Sequence, residues 1–126
     1  MLAHDRAILC AAYALEKKAF NVRLLKVEGV SSLTDYLIIA SGRSDRQVQS
    51  VAESVRMGLK KDHEATPLAV EGMNEGRWVL LDYGDVMVHV FQEPVREFYD
   101  LDGLWSEAAE LPIPEEYHWE RKAGAQ

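Results

Sequence analysis

The sequence predicts an α+β domain in which helices pack on a mixed sheet, and three observations lead there. Apolar residues recur at helical spacing near the start of the chain and again after Ser44. The run Asp35-Tyr36-Leu37-Ile38-Ile39-Ala40 is almost continuously apolar, the pattern of a strand buried on both faces. Two strand-like runs, Trp78 to Tyr83 and Asp85 to Phe91, are separated by little more than Gly84.

At 126 residues and 48% hydrophobic content, the chain has the length of one domain and the apolar matter for one core. The expected division is a single domain over residues 1–105 followed by an extension over 106–126. No repeat and no low-complexity tract interrupts it.

The elements follow in the order α-β-β-α-β-β-β-α. Between Asp5 and Ala19, the residues Ile8, Ala11, Ala12, Leu15 and Ala19 form one stripe, with Lys17 and Lys18 at the end where the helix dipole favours cations. Val22 to Val27 reads as a strand ended by Gly29, and the run from Asp35 is the next. Ser41-Gly42-Arg43 turns the chain into a second helix. Ser44 and Gln47 have the spacing of a capping box there, and Val48, Val51, Ala52, Val55 and Leu59 form the inner stripe. Thr66 to Val70 is a short strand at an edge, since Pro67 cannot donate to a ladder. After the 72–76 loop and the hairpin, Pro94 opens a last helix or helical turn, with Val95, Phe98, Leu101 and Trp105 at spacings of three and four. Beyond Ser106 the periodicity is lost, and a tail containing Pro112 and Pro114 is expected to lie along the body.

The hairpin holds the most information about function. With Tyr83 and Gly84 as its loop, Asp82 pairs with Asp85, Leu81 with Val86, Leu80 with Met87, Val79 with Val88 and Trp78 with His89. Alternation then puts Val79, Leu81, Val86 and Val88 on a core face, and Trp78, Leu80, Met87 and His89 on the other. Directly opposed like charges weaken a sheet by about 0.2–1 kcal/mol, so the expected Asp82 and Asp85 pair calls for a reason. One reason is a binding hot spot, with an apolar anchor and a charged rim suited to a Lys- or Arg-bearing partner. The other is an ordinary covered face with two solvated turn carboxylates. The residues alone leave both open.

Charge narrows the classes of partner. Lys and Arg total 14 against 21 Asp and Glu, a net charge of −7, which argues against a general phosphate-binding surface and for a basic protein partner. One cysteine, Cys10, permits no internal disulfide and reads as a small buried hydrophobe in a reducing compartment. The start lacks a signal-peptide pattern and no run reaches the ~20 apolar residues of a membrane span, so bacterial cytosol or a mature organellar form is expected.

No catalytic constellation emerges. His4, His63, His89 and His118 have no zinc-site spacing, and Cys10 has no evident base. Gly42-Arg43-Ser44 lacks the repeated glycines of a nucleotide loop, so a capped helix start is the better reading than a phosphate site. Asp82 and Asp85 are the one carboxylate pair that could serve Mg²⁺-dependent nucleotidyl transfer.

Several stretches in order resemble the Iojap family of ribosomal silencing factors. They are Asp35 to Gly42, Ser44-Asp45-Arg46-Gln47-Val48, Trp78 to Val86, Val88-His89-Val90-Phe91, and Arg96-Glu97-Phe98-Tyr99 on to Leu104-Trp105. The resemblance implies a nucleotidyltransferase-like fold without enzymatic activity or cofactor. It further implies a cytoplasmic protein that binds the large ribosomal subunit through that subunit's fourteenth protein. Bound there, it would block joining of the small subunit and repress translation, with little direct contact to nucleic acid. Carried over by position, it implicates Trp78, Leu80, Asp82 and Tyr83, with Arg96, Tyr99 and Trp105 as support or contact. The hairpin reading adds Asp85, Met87 and His89. Asp102 stands where the family pattern has Glu. Self-association through the same face, giving a homodimer in isolation, is the remaining alternative.

Overall fold

A computed structural model describes residues 1–119; the end of the expected extension, 120–126, lies outside the described residues. Helix α1 (Ala3–Glu16) leads into strands β1 (Phe20–Lys26) and β2 (Tyr36–Gly42), then helix α2 (Asp45–His63). Strand β3 (Ala69–Glu71) and the hairpin β4 (Trp78–Asp82) and β5 (Val86–Gln92) follow. Two short helices, α3 (Glu93–Tyr99) and α4 (Leu101–Leu104), and a last strand, β6 (Ala109–Leu111), complete the order before a single 3₁₀ turn at Glu115–Tyr117. The six strands form one sheet in the order β3-β4-β5-β2-β1-β6. Only β2 and β5 pair in parallel, so the sheet is mixed, as expected for this α+β chain.

The expected burial of β2 on both faces is complete, all seven residues being buried. On one side, Leu24, Ile38, Ala40, Val79, Leu81, Val86, Val88 and Val90 meet α1 and α2. The inner stripe of α2 is the predicted one, Val48, Val51, Ala52, Val55 and Leu59. Cys10 is fully buried in this layer, and burial pushes its thiol up to about 12, so it behaves as a small hydrophobe. The start of α2 is capped as its sequence suggests: Ser44 Oγ accepts from the Gln47 backbone N–H at 3.1 Å, and Gln47 Oε1 accepts from the Arg43 backbone N–H.

Three local expectations need correction. The strand expected at Thr66 to Val70 is Ala69–Glu71, because the chain first passes Pro67 before it meets β4. The last helix is broken at Asp100, whose left-handed φ of 50° ends α3 while its side chain caps α4. That break turns Phe98 out to solvent, 81% exposed, while Val95, Leu101 and Trp105 stay against the sheet. Finally, the chain after Trp105 does more than lie along the body. Ala109–Leu111 pairs antiparallel with Leu24 to Lys26 and so closes the β1 edge.

Candidate binding face

The hairpin has the predicted faces but not the predicted register. Trp78 pairs with Phe91, Val79 with Val90, Leu80 with His89, Leu81 with Val88 and Asp82 with Met87. The register is shifted by two from the expected one, with the Tyr83 N–H donating to the Val86 carbonyl and the Gly84 N–H to Asp82 Oδ1 at 2.8 Å. A shift of two preserves the alternation, which is why the face assignment survives.

The same shift removes the expected opposition of Asp82 and Asp85. Asp82 stands opposite Met87 and closes the turn, while Asp85 accepts from Arg6 of α1 at 2.7 Å. The carboxylate pair weighed for Mg²⁺ chemistry is thus two separate structural groups. Among the described residues, no three His, Cys, Asp or Glu side chains gather as metal ligands would. Tyr83 also departs from its expected place at a contact surface. It is buried with the core cluster on the helix side, its hydroxyl without a hydrogen-bond partner among the described residues. Burial raises its pKa.

The opposite face of the sheet carries an aromatic group centred on Trp78. Its indole lies stacked on Phe91 with centroids 4.7 Å apart and is tilted against Tyr99 at 5.0 Å; Tyr99 meets Phe98 edge-on at 5.1 Å. The indole N–H donates to His89 Nδ1 at 2.9 Å. That bond requires Nδ1 unprotonated, and burial agrees, lowering the His89 pKa to about 4.

The short helices cover only part of this face. Leu25, Val27, Leu37, Ile39 and Phe91 are sealed beneath Val95, Leu101, Trp105 and Ala108. Beside the cover, a cavity of about 240 Å³ opens among Leu37, Met87, His89, Leu101 and Trp105. Its rim includes Leu33 and Leu104, 73% and 72% exposed. A second hollow of about 260 Å³ is lined by Glu71, Trp78 and Leu80. Another opening, of about 400 Å³, lies elsewhere, between α1 and the segment Glu116 to Trp119. It contains none of the expected binding residues.

Of the two roles expected for Arg96, support or contact, its placement is that of a support. Its guanidinium is buried and fully engaged, donating to both Asp102 oxygens at 3.0 and 2.8 Å, and to the Asn21 carbonyl and Ser41 Oγ at 2.7 Å each. Asn21, with φ 49°, sits where the β1–β2 register slips, which leaves its carbonyl free to accept. The Arg96 bond, reinforced by Arg23, holds the Asp102 carboxyl down at about 2. The Asp102 side chain reaches both arginines, Arg23 at 2.9 Å.

The structure thus gathers Trp78, Leu80, Met87, His89, Tyr99 and Trp105 of the expected site, with Asp82 at its end, and takes Tyr83, Asp85 and Arg96 into the scaffold. Sequence reasoning missed Leu33, Glu71 and Leu104. The pairing of Glu71 with Leu80 across β3 and β4 and the break at Asp100 place two of them here, and Leu33 comes from the connection between β1 and β2.

Residues 2–126 match the family model described as ribosomal silencing factor during starvation. The ribosomal silencing factor of Bacillus subtilis is 39% identical over 100 residues, covering 79% of this chain and 84% of the relative. That of Chromobacterium violaceum is 41% identical over 96 residues, 75% of this chain and 78% of the relative. The chloroplastic Iojap protein of Arabidopsis thaliana is 30% identical over 108 residues. Among solved structures, one from Chromobacterium violaceum superposes with a TM-score of 0.81 at 32% identity, covering 94% of this chain and 99% of the other. One from Bacillus halodurans gives 0.72 at 33% identity, with 83% and 94% covered. By sequence along its whole described length and by fold, this chain belongs to the ribosomal silencing factor family.

Proposed function

We propose that this protein represses translation by docking the half-covered sheet face on the large ribosomal subunit, through the subunit's fourteenth protein, and so excluding the small subunit. The action is steric and requires no cofactor or catalytic group, and its setting is the cytoplasm.

The observation that carries the reading is the continuity of the face. Phe98, Tyr99, Trp78 and Leu80 run into Met87, His89 and the cavity rimmed by Leu33 and Leu104. Contiguous apolar area left open by its own helices is the makeup of a docking site, with aromatic anchors at the centre. A chain of net charge −7 suits a basic protein partner and faster encounter with it.

Co-sedimentation with purified large subunits tests the reading. Leu104→Asp changes an exposed side chain and should leave the fold intact while reducing binding. Trp78→Ala, verified as folded by circular dichroism, should lower affinity by about 2 kcal/mol or more. Undiminished binding by both folded variants rejects this face.

A further inference from the structure

We infer that Glu71 is the acceptor for a Lys or Arg side chain of the docked protein, and that this one carboxylate sets which partners the face admits. The inference rests on the docking face proposed above and names the chemistry that one end of it recognises.

Three placements carry it. Glu71 pairs with Leu80 across β3 and β4, so the two side chains stand side by side on the face that holds Trp78. Together these three residues line the 260 Å³ hollow. That is smaller than the roughly 300–1,000 Å³ of small-molecule pockets and suits a single inserted side chain. Third, Glu71 has no ion-pair or side-chain hydrogen-bond partner among the described residues, and its strand is the open edge of the sheet.

Five other carboxylates are engaged within the fold. Asp82 accepts from the Gly84 N–H, Asp85 from Arg6, Glu93 from Asn21, Asp102 from Arg96 and Arg23, and Glu110 from Arg23. The basic partner expected for Asp82 and Asp85 finds its acceptor at Glu71, the carboxylate that lines the hollow with Trp78 and Leu80.

Covering the Trp78 and Leu80 surface removes water from Glu71 as well. A carboxylate desolvated without a counter-charge is strongly unfavourable, so an apolar or acidic group docked at this point is rejected. A Lys or Arg satisfies both parts of the hollow. Its methylene stem lies on Leu80 and the edge of the indole while its charged head meets the carboxylate. Selectivity for a basic partner is then local, beyond what the net charge of the chain supplies.

The test measures affinity of the full chain for purified large ribosomal subunits at low and high KCl. Glu71→Gln keeps size and hydrogen-bonding capacity at an exposed position, so the fold is retained and circular dichroism checks it. It should bind about tenfold more weakly at low salt, with a shallower salt dependence, and Glu71→Lys more weakly still. Glu64→Gln, a charge change at the exposed end of α2, should bind as the unaltered protein does. If Glu71→Gln keeps full affinity and salt slope while folded Trp78→Ala loses binding, the inference is wrong and the docking face stands. If neither variant loses binding, the face falls and the inference with it. An equal loss in Glu64→Gln would assign the effect to overall charge and overturn the role of Glu71.

Discussion

The indole N–H of Trp78 donates to Nδ1 of His89, 2.9 Å away, across the β4–β5 ladder. This bond fixes the rotamer of the ring that anchors the open face, and it requires a neutral imidazole.

Protonating His89 should therefore weaken the fold. Its folded pKa of about 4 lies below the ordinary value of 6.5, so its stabilising contribution is complete above pH 6.5 and is lost as pH falls towards 4. Urea unfolding across that window should show stability rising with pH by on the order of 2–3 kcal/mol from this group. In His89→Phe that component should vanish; an unchanged pH profile in the variant would assign the dependence to other groups.

Asp102→Asn should destabilise the protein at neutral pH by about 3 kcal/mol, because it leaves the buried Arg96 without its counter-ion. The carboxyl is held at about 2 against an ordinary 3.8, so its contribution is present above pH 3.8 and is lost as pH falls through 2. Chemical denaturation of both proteins at neutral and acid pH checks it. The gap between them should narrow in acid.

Gly72→Ala should be far more damaging than Gly29→Ala, although both glycines have positive φ, +79° and +84°. A Cβ at Gly72 would lie 2.0 Å from the Trp78 carbonyl oxygen, whereas at Gly29 it meets nothing within 4 Å. Backbone conformation alone costs about 1–2 kcal/mol in each. The added backbone collision should be visible as a much lower denaturant midpoint for Gly72→Ala, and equal midpoints would reject the close approach.

A chain ending at Trp105 should melt at lower temperature and self-associate, since it uncovers the β1 edge at Leu24 to Lys26 and removes Leu111 and Ile113 from the core. Differential scanning calorimetry and light scattering read both effects. An unaltered melt with a monomeric profile would make the last strand dispensable.

What the sequence disclosed depended on the range of the interaction responsible. Period-2 alternation separated Val79, Leu81, Val86 and Val88 from Trp78, Leu80, Met87 and His89, because side-chain parity is a local property. The register escaped it: Asp82 closes the turn by accepting from Gly84, and no spacing rule distinguishes that arrangement from a two-residue loop. Asp85 looked unexplained because Arg6 is remote in sequence and adjacent only once α1 docks. Arg96 stayed undecided between support and contact for the same reason, since a buried guanidinium is recognisable only when Asn21, Ser41 and Asp102 converge on it. Phe98 fell on a continuous helical stripe, and only the left-handed Asp100 shows that the stripe is interrupted.

The single parallel pair also governs how the chain acquires its shape. Tyr36 to Gly42 can meet Val86 to Gln92 only after the whole of α2, β3 and β4 has been looped out between them. Helix α2 and the β4–β5 hairpin involve short closures and can form and pack on each other early, but β2 joins the sheet only when this union occurs. Truncations at Ile38 or Val88 should then retard refolding, whereas changes at Leu104 or Glu71 should leave its rate alone. The residues free to vary for recognition are those the assembly pathway does not wait for.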